Sequence, residues 1–130
     1  MTEPASKLAI GTAQFGMTYG IANKNGQVQQ DEITAILYLA RRNGIDTLDT
    51  AKAYGTSEKA IGSYLKDHAK GSWKIIIKIS DFKNSLSQQL KDSIKKLSAR
   101  PIALLAHSAE LYLNETFQAE LQTIKEKKSI

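Results

Sequence analysis

Four side chains of this sequence could act together on a proton: Asp49, Tyr54, Lys78 and His107. The stretch from Gly44 to Gly55 carries a short apolar/polar alternation ending at Asp49, then a loop that brings Tyr54 beside a glycine. Two later strand-like runs finish in the same manner, Trp73 to Ile79 with Lys78 near its end and Pro101 to His107 with the histidine last. The chemistry open to such a set is delivery of a proton to an oxygen that turns negative as hydride reaches a carbonyl carbon. Tyrosine is a weak acid, with an ordinary pKa of about 10, and a nearby ammonium favours its phenolate. Lys78 could do this for Tyr54. A carboxylate at Asp49 could keep Lys78 charged and aimed, and His107 could donate a hydrogen bond to the reacting oxygen.

These side chains need strands to position them. Side chains two apart on a strand share a face, so Asp49 stands above Thr47 and Ile45, Lys78 above Ile76 and Lys74, and His107 above Leu105 and Ala103. The opposite faces carry Leu48, then Ile75, Ile77 and Ile79, then Ile102, Leu104 and Ala106. If the strands are parallel neighbours, one face runs from a mostly apolar base to an Asp, a Lys and a His at the carboxyl ends, where parallel α/β folds place their chemistry.

Taken in order, Lys7 to Thr12 reads as a first strand, followed by a loop with Gly16, Gly20 and Gly26. The spacing of Ile33, Ile36, Leu37 and Ala40 predicts a helix from Asp31, stopped by Gly44. A second helix starts near Thr56 or Ser57 with Ile61, Tyr64 and Leu65 inward, and Gly71 and Ser72 lead into the Lys78 strand. Ser85 with Gln88 three residues on forms a capping-box pattern for a third helix striped by Leu86, Leu90, Ile94 and Leu97. Pro101 opens the last strand, where its missing N–H is tolerated, and Asn114 caps a fourth helix striped by Phe117, Leu121 and Ile124. Strand then helix, four times, predicts an α/β fold with parallel strands and right-handed crossovers. Residues 1–130 read as one domain, without internal repeat or linker.

Composition narrows the class. The 130 residues, 42% apolar and 24% charged, suit one ordinary globular core. No apolar run approaches the ~18 residues of a membrane span, and the first residues lack the apolar stretch of a signal peptide, so a cytoplasmic protein is the expectation. Zero cysteines exclude disulfides and thiolate metal sites and fit a reducing compartment. The net charge of +5 does not point to nucleic acid. Lys91, Lys95, Lys96 and Arg100 fall in or after one helical pattern and Lys125, Lys127 and Lys128 at the end of another, where cations complement a helix dipole. The two histidines, His68 near a helix end and His107, are too far apart in sequence to suggest a metal site, and none is expected. Gly11, Gly16 and Gly20 do not follow the G-x-G-x-x-G spacing of a dinucleotide-binding turn.

The combination resembles the N-terminal half of an aldo-keto reductase. The matching pieces are Ile10-Gly11-Thr12, Gly44 to Ala51 with Tyr54-Gly55, Lys78, the helix from Ser85-Leu86 to Leu97, and Leu104-Leu105-Ala106-His107, which together cover nearly the whole chain. The resemblance implies four strand–helix units of a TIM-type barrel, a half barrel with helices on the outer face; a flavodoxin-like rearranged sheet is the alternative. It implies NADPH-dependent reduction of a small aldehyde or ketone, with Tyr54 as the acid among Asp49, Lys78 and His107. It also implies that Gly11, Thr12, Ala13 and Asp49 lie near the nicotinamide end of the cofactor. The family's barrel has eight such units, and the sequence reaches Ile130 after four. The family's later strands, which complete the cofactor site, are missing from these 130 residues, so this truncated half is expected to be incomplete and inactive as an isolated chain. A half barrel also leaves two bare edges and an apolar face, which predicts self-association or a partner covering it. The competing expectation is a non-enzymatic half-barrel that serves in assembly or binding and keeps the site residues as inheritance.

Overall fold

The computed structural model describes residues 7–68 and 73–127. Met1 to Ser6, Gly71, Ser72 and Lys128, which entered the readings above, lie outside the described residues. Strands β1 (Ile10–Gly11), β2 (Thr47–Asp49), β3 (Lys74–Ile79) and β4 (Ala103–Ala106) form one parallel sheet in the order β1-β2-β3-β4. Such sequential order is that of half a TIM barrel. It rules out the flavodoxin-like alternative, in which the strand order reverses at a switch point.

Six helices accompany the strands: α1 (Ala13–Gly16), α2 (Gln30–Arg42), α3 (Ser57–Asp67), α4 (Leu86–Leu97), α5 (Ala109–Tyr112) and α6 (Glu115–Glu126). The long helices line one side of the sheet, α2 beside α3, α3 beside α4, and α4 beside α6. Their inward residues meet the outward face of the strands. Leu48, Ile75, Ile77 and Ile79 are all fully buried against Ile33, Leu37, Ile61, Leu65, Leu86 and Phe117. Ile102, expected on that buried face, is instead 54% exposed, because the edge strand β4 has no further unit beside it to cover its start. On the opposite face Ile45 and Ile76 are half-buried and Leu105 is exposed.

The strands are shorter than the runs that predict them. Ile45 is lost from β2 because its N–H bonds back to the Ala40 carbonyl at the end of α2, where Gly44 turns the chain at φ +80°. β1 pairs only through Ile10 and Gly11, on one side. The single-turn helices α1 and α5 have no counterpart in the sequence reading, since four residues cannot show a helical stripe. Ser85 caps α4 by accepting from the Gln88 N–H at 3.1 Å, but Gln88 spends its side chain on Asp92, so only half of the capping box forms. Glu120 of α6 completes that helix start by accepting from the Leu86 N–H at 2.6 Å. Asn114 caps α6 at Phe117 as expected, and Lys95, Lys96 and Lys125 fall in last helical turns. His68 is exposed, yet its ring stacks on Tyr64 at 4.5 Å and its Nδ1 reaches the Tyr64 carbonyl.

Close contact of α3 with α4 depends on Gly62, where an added Cβ would lie 1.9 Å from the Lys96 carbonyl oxygen. Backbone cannot yield as a side-chain tip can. Gly62→Ala is expected to cost about 1–3 kcal/mol of stability, the range for overpacking, read as a lower midpoint in urea denaturation.

Candidate active site

β2 and β3 stay paired beyond Asp49. The Thr50 N–H donates to Ile76, the Lys78 N–H to Thr50 and the Lys52 N–H to Lys78, at 2.9, 3.0 and 3.1 Å. This continued ladder sets Asp49 and Lys78 on the same face, two positions offset, because Asp49 itself stands opposite Ile76. Lys78 Nζ donates to Asp49 Oδ1 at 2.6 Å, with the lysine side chain only 15% exposed. An ammonium among isoleucines needs such a partner, because leaving water unpaired costs several kcal/mol. Burial acts to lower the Lys78 pKa, but the hydrogen bond and charge of Asp49, joined by those of Tyr54, outweigh it and hold the ammonium above the ordinary lysine range.

Tyr54 arrives by a tight turn, its N–H donating to Ala51 and its carbonyl accepting from the Ser57 N–H that opens α3. Lys78 Nζ lies 5.3 Å from the centre of its ring. His107 extends the β3–β4 ladder through its N–H to the Ile79 carbonyl at 2.8 Å, and its exposed ring meets Tyr54 edge-on at 6.2 Å and 83°. The four predicted side chains, drawn from three strand ends and one loop, are therefore neighbours at one mouth of the sheet.

The four residues expected near a cofactor divide. Gly11 stands opposite Asp49 in register, and a Cβ there would meet nothing within 4 Å, so the end of β1 opens onto free space. Ala13, at the start of α1, is half-buried. Thr12 is fully buried, its N–H and hydroxyl both donating to the Asp49 carbonyl, at 3.1 and 2.9 Å. Thr12 thus braces Asp49 from behind.

Sequence reasoning missed the contact that seats the Tyr54 turn. Gly16, read as a loop glycine, lies against it so closely that a Cβ would fall 1.7 Å from the Tyr54 carbonyl oxygen, and Gly55, at φ +55°, would collide in turn with the Gly16 carbonyl. The signal available was a glycine at each partner position, with nothing in one chain to say that they meet. The loop that follows, residues 17–28, is knitted by Asn23, whose side chain donates to Tyr19 and Gly26 and accepts from the N–H groups of Asn25 and Gly26. Its end is clasped where the Val28 N–H donates to the Gln14 carbonyl. Among the described residues, no three His, Asp or Glu side chains cluster to hold a metal, and no helix is long and apolar enough to cross a membrane.

The model of the Aldo/keto reductase family matches residues 7–126. A Pseudomonas aeruginosa crystal structure assigned as an aldo-keto reductase is 27% identical and superposes with a TM-score of 0.80, over 96% of this chain and 55% of its own. A second structure from that organism, so assigned, is 26% identical with a TM-score of 0.75, over 94% of this chain and 53% of its own. A thermostable aldo-keto reductase solved with the inhibitor epalrestat, 24% identical, shares the fold with a TM-score of 0.67, over 92% and 45%. This chain spans about half the length of these solved relatives. No curated protein matches it.

The ion pair has a pH signature. Since the folded-state pKa of Lys78 is raised, the pair contributes fully below the unfolded lysine value of about 10.4 and is lost as pH rises through the folded value. Asp49→Asn should therefore be less stable than the wild type at neutral pH, and the gap should narrow when urea midpoints are followed up to about pH 11.

Proposed function

The chain belongs to the aldo/keto reductase family, and we propose that it carries the proton-delivering half of a carbonyl-reducing site that works with NADPH on a small aldehyde or ketone. The observation that supports this most is the Lys78 ammonium, 2.6 Å from Asp49 and beneath the Tyr54 ring. On this reading Tyr54 gives its phenolic proton to the substrate oxygen as the alkoxide forms. Lys78 stabilises the phenolate left behind, Asp49 holds the ammonium in place, and His107 donates a hydrogen bond that orients the oxygen. A nicotinamide cofactor supplies the hydride when bound. The open end of β1 at Gly11 leaves room for a flat ring beside Asp49, with Ala13 at the approach and Thr12 acting from behind through its hydrogen bonds to the Asp49 carbonyl. Zero cysteines suit work in a reducing cytoplasm.

A closed cofactor site needs the other barrel strands, whether from the same polypeptide, a second copy or another partner. We therefore expect an isolated 130-residue chain to be inactive. A second reading, a half barrel that acts only in assembly or binding, draws on the exposed apolar residues along both edges: Leu8 before β1 at 57%, Ile102 at 54% and Leu105 at 46%.

Fluorescence titration of the 130-residue chain with NADPH separates the two. Saturable binding that Lys78→Met abolishes would support the reductase reading. No binding at millimolar cofactor, together with a stable oligomer in sedimentation, would replace it with the assembly reading.

A further inference from the structure

Behind the mouth, on the helical side of the sheet, three fully buried hydroxyls are linked through Ser57: Thr12, Thr50 and Ser57 itself. Ser57 Oγ lies 2.9 Å from Thr12 Oγ1, 3.0 Å from the Thr12 carbonyl oxygen and 3.0 Å from Thr50 Oγ1. Proton counting gives the cluster a direction. Thr12 spends its only hydroxyl proton on the Asp49 carbonyl. The contacts between Ser57 and Thr12 must then use the proton of Ser57, which leaves Thr50 as the donor to Ser57. The chain runs from Thr50 to Ser57 to Thr12 and ends on the main chain of Asp49.

Ser57 also donates its N–H to the Tyr54 carbonyl. One residue, the first of α3, thereby joins the end of β1, the end of β2 and the turn that carries the phenol. We infer that Ser57 is a positioning residue, acting with Thr12 and Thr50 to hold the Asp49 carboxylate and the Tyr54 turn in register with Lys78. This rests on the reading of the site given above, and assigns the buried cluster behind it a part in that chemistry. A network that merely satisfied buried hydroxyls would affect stability alone. Because this one ends on the main chain of Asp49, and its central residue also holds the Tyr54 turn through its N–H, loosening it displaces the partners that keep Lys78 charged.

The test is the titration of the Lys78 ammonium, followed by NMR of the 130-residue chain with 13Cε-labelled lysine and identified by loss of its signal in Lys78→Met. Asp49→Asn sets the full fall in the Lys78 pKa. Ser57→Ala and Thr12→Val are each expected to produce at least half of that fall, and Thr50→Val a smaller one. Ser93→Ala should leave the titration unchanged, since Ser93 is equally buried in α4 but its hydroxyl has no partner. If Ser57→Ala does not fold, the two Thr→Val variants, which keep the side-chain volume, carry the test. A Lys78 titration unmoved in every cluster variant while Asp49→Asn lowers it would overturn the inference and leave the site reading intact. A titration unmoved in Asp49→Asn would overturn both.

Discussion

A lysine ammonium held among isoleucines by a carboxylate on the neighbouring strand is the interaction on which this structure turns. It exists because β2 and β3 stay hydrogen-bonded past the last regular strand residue, so that the Asp49 and Lys78 backbones cannot separate. A second pair at the other end of the same strands shows what that placement adds. Lys74 lies 3.0 Å from Asp46, and its hydrogen bond, with that of Thr47, holds the Asp46 carboxyl below the usual range. Yet Lys74 is 59% exposed, and a pair so open to water adds little to stability. The same two residue types on the same two strands give a surface contact at one end and a candidate chemical centre at the other.

The sheet has one finished side. Its outer face is covered by four long helices except at the start of β4, where Ile102 is exposed, while its inner face presents Ile76 and Leu105, with Ile45 just before β2, beneath the candidate site. A cavity of about 480 Å³ beside β4, lined by Leu104, Tyr112, Leu121 and Ile124, lies on the helical side, away from the four site residues. Both features sit where further strand–helix units of a barrel would lie. They belong to the geometry of a half barrel rather than to its chemistry.

Much of this was legible in the residues themselves. Period-two alternation gave the sheet faces correctly at Leu48, Ile75, Ile77 and Ile79, and the capping residues Ser85 and Asn114 marked two helix starts. The polar side chains at three strand ends, Asp49, Lys78 and His107, lie on the face their register implied, and the loop residue Tyr54 meets them there. What stayed hidden depends on contacts between distant parts of the chain. Thr12 and Ser57 are 45 residues apart, and no local pattern reveals that their hydroxyls meet. Gly16 looked like loop composition because the backbone it touches belongs to another loop. Strand ends were overestimated where a helix cap, as at Ile45, took the N–H that a ladder would have used.

The loop of residues 17–28 is clasped at its base and stitched internally by a single asparagine, while Gly16, just before it, carries the backbone contact that seats Tyr54. The base is also tied to the turn after Tyr54 by Gln27, whose Nε2 donates to Thr56 Oγ1 at 3.1 Å, while the tip carries the fully exposed Ile21. A change of side chain at Ile21 therefore leaves in place the Gly16 and Gly55 backbone contacts that seat the Tyr54 turn.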